Sequence, residues 1–125
     1  MNHQEILSQM SLREKIAAAS GKTFWRTKEM KRYGLPELLL CDGPHGLRRQ
    51  TRKNDMLGIG PSSPATCFPA EVTLACSWDT ELLARVGGAI AEEAASFGVS
   101  VVLGPGVNLK RNPLCGRNFE YFSED

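Results

Sequence analysis

Leu38-Leu39-Leu40-Cys41-Asp42-Gly43-Pro44-His45-Gly46-Leu47-Arg48 is the stretch on which the fold turns. Four apolar residues run without a break and give way at once to Asp42-Gly43-Pro44. A short continuous apolar run suits a strand buried on both faces, as in a parallel sheet or a barrel. Gly34-Leu35-Pro36 punctuates the chain before it. Asp42, His45 and Arg48 therefore stand just past the carboxyl end of a strand.

The same grammar repeats downstream. Val99 to Leu103 is a second short apolar run, closed by Gly104-Pro105-Gly106. Past it come Asn108, Lys110 and Arg111, then Arg117, Glu120, Glu124 and Asp125. Between the runs, Leu82, Leu83, Val86, Ile90, Ala94 and Phe97 recur at helical spacing. Ser77 or Asp79 can cap that helix and Gly98 closes it. Gly87 and Gly88 weaken it slightly and allow close packing. Arg48 to Thr66 is polar and rich in Gly, Pro and Ser, a long surface loop.

Upstream, Ser11-Leu12-Arg13-Glu14 reads as a capping box. Ile16, Ala17 and Ala19 extend a modest helix from it, and Gly21 is a C′ residue. Phe24 to Tyr33 is mixed and basic, a loop or short helix. The order helix, strand, long loop, helix, strand, loop predicts an α/β fold with parallel strands. In α/β barrels the active site lies at the carboxyl ends of the strands, where this chain collects its polar residues.

Composition narrows the function. The chain has 125 residues, 42% hydrophobic and 23% charged, the balance of one globular domain. A net charge of +1 points to neither nucleic acid nor a membrane surface. The cluster Arg48, Arg49, Arg52 and Lys53 lacks interleaved aromatics and reads as a solvated face. Gly104-Pro105-Gly106 lacks the GxxxxGK[ST] pattern of a phosphate-binding loop. The first ten residues show no basic start and apolar core of a signal peptide, so the expected location is cytoplasmic. Cys41, Cys67, Cys76 and Cys115 show no CxxC spacing, and with two histidines a zinc site is not expected. Buried thiols are the expectation for them. No cofactor is expected.

The motifs together resemble the β-glucosidases of glycoside hydrolase family 3. Asp42-Gly43-Pro44-His45-Gly46-Leu47-Arg48 is similar to that family's first sugar-binding loop, and Pro64-Ala65-Thr66-Cys67-Phe68-Pro69 to the segment that follows it. Leu74-Ala75-Cys76-Ser77-Trp78-Asp79 is similar to the start of its next helix. Gly104 to Asn108 and Asn112 to Asp125 are similar to its third block. The resemblance covers roughly residues 11 to 125.

What the resemblance implies is an incomplete (β/α)8 barrel, with residues 1–125 as the opening units of its amino-terminal domain. A barrel takes about 250 residues, so the remainder and downstream domains would be partners. The residue matching Asp42 binds hydroxyls of the non-reducing sugar, and those matching Arg48 and Arg117 line the same subsite. The implied substrate is a β-glucoside or oligosaccharide, with no nucleic acid and no membrane partner. The family's Lys-His pair, nucleophilic aspartate and glutamic acid/base have no match here, so no catalytic residue is assigned. Asp79, Glu120 and Glu124 take structural places. His45 reads as a hydrogen-bonded loop histidine, Lys110 and Arg111 as loop anchors, and Trp78 as core. Two other readings stand beside this one: a non-catalytic sugar-binding module, and half of a split barrel completed by a partner chain.

Overall fold

The computed structural model describes residues 2–51 and 59–123. The expectations for Arg52, Lys53, Glu124 and Asp125 lie outside the described residues. The chain divides into two compact units, Met1–Leu40 and Cys41–Asp125.

In the first unit, helix α1 (His3–Gln9) starts at a capping box the sequence reading did not single out. The Glu5 carboxylate accepts the Asn2 amide at 3.2 Å. Helix α2 (Leu12–Ala18) carries the expected box: Ser11 N–H donates to Glu14 Oε2 at 2.8 Å, and Glu14 N–H to Ser11 Oγ at 3.3 Å. Gly21 is not its C′ residue. It opens strand β1 (Gly21–Thr23), which pairs antiparallel with β2 (Arg26–Thr27). The Ser20 hydroxyl donates back to Ile16 O at 2.7 Å, and the chain reverses through Phe24-Trp25. So the stretch from Phe24 to Tyr33 holds half a hairpin and one 3-10 turn, Lys31–Tyr33, ended by Gly34 at φ 67°. Ile6, Met10 and Tyr33 form the buried core here, with Met30 and Leu35 against it.

The apolar run at 38–41 is divided between two jobs. Thr27 N–H donates to Leu38 O at 3.0 Å, and Leu40 N–H to Trp25 O at 2.8 Å. Its beginning thus pairs with the hairpin, and strand β3 covers only Leu40–Asp42. Its neighbour β4 is Val101–Leu103, two residues shorter than the apolar run.

In the second unit the connection from β3 to β4 carries α3 (Glu71–Ala75) and α4 (Thr80–Ser96). The short α3 was not expected. Asp79 caps α4, its carboxylate accepting Leu82 N–H at 2.9 Å, and Gly98 ends the helix at φ 67°. Cys41, Leu47, Leu74, Ala94 and Val99 are buried. The architecture is a partial α/β arrangement: two paired strands with helices between them, and no closed barrel among the described residues.

Two expectations about burial need correction. Of the four free cysteines only Cys41, on β3, is buried. Cys67 and Cys115 sit in irregular chain, and Cys76 caps α3 facing outward. Trp78 is 92% exposed rather than core. It occupies the turn between α3 and α4 with a left-handed backbone, φ 52°.

Candidate functional site

The second unit builds a polar hollow of about 220 Å³ beyond the carboxyl ends of β3 and β4. Asp42, the last residue of β3, contributes one wall, and Arg117 with Glu120 the other. The Gly104-Pro105-Gly106 turn after β4 lies between them.

Local chemistry places each group. Arg48 N–H donates to Asp42 O at 2.8 Å, closing the 42–48 loop on itself. Phe68 N–H donates to His45 O at 2.8 Å, and Glu93 on α4 accepts both the amide and hydroxyl of Thr66. The returning segment therefore ties the loop to the long helix. A Cβ on Gly104 would stand 2.9 Å from Pro44 Cα, so only glycine lets the two loops meet this closely.

Arg117 Nε donates to Glu120 Oε1 in a close ion pair. Glu120 is 14% exposed and Arg117 74%, so the carboxylate is the held partner and the guanidinium reaches outward. Glu120 raises the Arg117 pKa first, by hydrogen bond and charge, with Tyr121 and Asp42 adding to it. Asp42 is thus close enough to act on Arg117 electrostatically. A carboxylate acceptor and a guanidinium donor facing one hollow can grip neighbouring hydroxyls of a small polyol.

The sequence grouped Asp42, Arg48 and Arg117. The structure brings Asp42 and Arg117 together on this hollow. Arg48 shares the loop through its peptide, but its side chain is exposed and outside the lining. His45 packs edge-on against Phe119 with ring centroids 5.7 Å apart. Its Nδ1 is buried without a hydrogen-bond partner among the described residues, unlike the bonded histidine expected. Sequence reasoning missed Glu71 entirely. This first residue of α3 is completely buried, and its Oε2 accepts Gly106 N–H at 2.8 Å beside the hollow. A glutamate opening a helix ordinarily faces water, and nothing in its sequence neighbourhood marks this one as different.

Residues 6–125 match the model of the glycosyl hydrolase family 3 N terminal domain. The chain belongs to glycosyl hydrolase family 3. This family 3 chain is 55% identical over 122 residues to thermostable beta-glucosidase B of Acetivibrio thermocellus, covering 98% of the chain and 16% of that protein. It is 46% identical over 117 residues to an exo-alpha-(1->6)-L-arabinopyranosidase of Bifidobacterium longum, covering 93% of the chain and 16% of the relative. Among solved structures, the beta-glucosidase of Kluyveromyces marxianus in complex with glucose superposes with a TM-score of 0.85 at 37% identity, over 99% of this chain and 14% of that one. The family 3 chain therefore spans about a sixth of the curated relatives it matches.

Proposed function

We propose that this chain is part of the catalytic barrel of a retaining β-glucosidase acting on terminal non-reducing β-D-glucosyl residues, and that it supplies part of the glucose-binding subsite. The observation that carries the reading is the shared hollow of Asp42 and Arg117 past two neighbouring strands. The two oxygens of Asp42 accept hydrogen bonds from adjacent sugar hydroxyls, and Arg117 donates to another. Arg48 serves at the rim, through the loop it closes on Asp42. A site built to pair hydroxyls rejects analogues that lack them, because its own polar groups are left unpaired.

Retaining hydrolysis needs a nucleophile and an acid/base about 5–5.5 Å apart. Glu120 is committed to Arg117, and Asp79 to the cap of α4. Both carboxylates come from the rest of the barrel in this reading, and residues 1–125 alone cleave nothing.

The test is a chimera in which these residues replace the 122 matching residues of the Acetivibrio thermocellus enzyme. The chimera hydrolyses an aryl β-glucoside, and Asp42→Ala lowers its kcat/KM at least about tenfold, from the ~1.5–3 kcal/mol of a hydrogen bond to a charged group. An unchanged kcat/KM for D42A contradicts the subsite. The similarity to an arabinopyranosidase gives a second arm. Preference for an aryl α-L-arabinopyranoside would keep the hollow and change its sugar.

A further inference from the structure

Glu71 is fully buried and plays no part in the sugar contacts just described. A carboxyl group is a costly choice for such a place unless it is held by partners. Its Oε2 accepts Gly106 N–H at 2.8 Å, while Oε1 is buried without a hydrogen-bond partner among the described residues. Gly106 is half-buried and leaves no room for a side chain: a Cβ there would stand 2.2 Å from Glu120 O, 2.9 Å from Glu71 Oε2 and 3.0 Å from a Tyr121 ring carbon. Gly106 O in turn accepts Phe122 N–H at 2.9 Å. One residue, through the peptide groups on either side of it, is therefore clamped between α3 and the segment that carries Arg117 and Glu120. Gly106, Glu120 and Tyr121 all line the hollow, and Glu71 stands behind them.

We propose that Glu71 is a positioning residue for the sugar subsite: it fixes the Gly104-Pro105-Gly106 turn against the Arg117–Glu120 segment, and so sets the spacing between Arg117 and Asp42. The inference rests on the subsite reading above. Glu71 touches no substrate and acts through Gly106. What the clamp requires is an acceptor oxygen at the Gly106 amide, which an amide side chain also provides.

The test uses the same chimera. Glu71→Gln keeps the acceptor, and its KM for the aryl β-glucoside stays within about twofold of the parent. Glu71→Met has similar volume and no acceptor, stranding a buried N–H. Its KM rises about tenfold while kcat changes less than threefold, since the clamp orders the binding subsite and not the reacting carboxylates. Should E71M fail to fold, Glu71→Asp takes its place. It withdraws the oxygen by one methylene, and a raised KM in the folded enzyme supports the proposal. An unchanged KM in folded E71M or E71D overturns it, as does E71Q rising as far as E71M. Failure of both E71M and E71D to fold also overturns it, because Glu71 would then hold the fold and not the hollow. D42A separates the two levels: if D42A is neutral, the subsite reading itself falls. If D42A loses activity and E71M does not, only the role of Glu71 falls.

Discussion

Two carboxyls of this chain respond to pH in opposite senses. Glu14 is held below its usual range, first by the Ser11 hydroxyl, then by the Ser11 amide and Tyr33. Its contribution to stability is present above its unfolded pKa and lost as pH falls through the folded one. Glu71 is pushed above its usual range by burial first, opposed by the Gly106 N–H and reinforced by the Glu120 carboxylate facing it. Its contribution is therefore complete below its unfolded pKa and lost as pH rises through the folded one. E71Q removes that loss. Denaturant midpoints of the chimera and its E71Q variant, measured upward from pH 4.5, should diverge in favour of E71Q, and parallel curves would contradict the assignment. At this scale the family resemblance named Asp42 and Arg117 together, and the two line one hollow. Glu71 was not legible, because burial of a helix-opening glutamate depends on Gly106, 35 residues away. Trp78 was misread for a related reason: the left-handed turn that it occupies between α3 and α4 is invisible in composition.

Among the elements, α4 was the most readable, since its 17 residues give periodicity room to show. Leu82, Leu83, Val86, Ile90 and Phe97 are half-buried and Ala94 is buried, as the spacing required. Helix α3, with five residues, has no room for a period, and the exposed β1 has no alternation to read. Glycine marks a contrast between elements. Gly88 is exposed, and a Cβ there would meet nothing within 4 Å. Gly88→Ala should stabilise α4 by about 0.5–1 kcal/mol, seen as a raised Tm of the chimera. Gly106→Ala should lower Tm and raise KM together, because backbone and not a flexible side-chain end blocks the new methyl. A G106A enzyme indistinguishable from the parent would remove the clamp from the account.

For the whole molecule, the chain's share of its relatives governs what to expect of it alone. An apolar hollow of about 410 Å³ opens against α4, lined by Leu74, Leu83, Val86, Ile90, Val102 and Phe122 among others. Val107, Leu109, Leu114 and Phe119 are exposed as well. Surfaces of this kind mark interaction sites or drive aggregation, and in the proposed reading the rest of the barrel covers them. The purified 125-residue chain should therefore enhance the fluorescence of a hydrophobic dye and release no aglycone from an aryl β-glucoside. A cooperative melt with turnover would contradict both expectations. The α/β class was legible, since strand and helix alternation names it, while no closed barrel occurs among the described residues. The central claim is that Asp42 and Arg117 grip one sugar. A crystal structure of the chimera with glucose tests it most directly: the account places hydroxyl oxygens within hydrogen-bond distance of both Asp42 and Arg117, and glucose bound elsewhere with that hollow empty would contradict it.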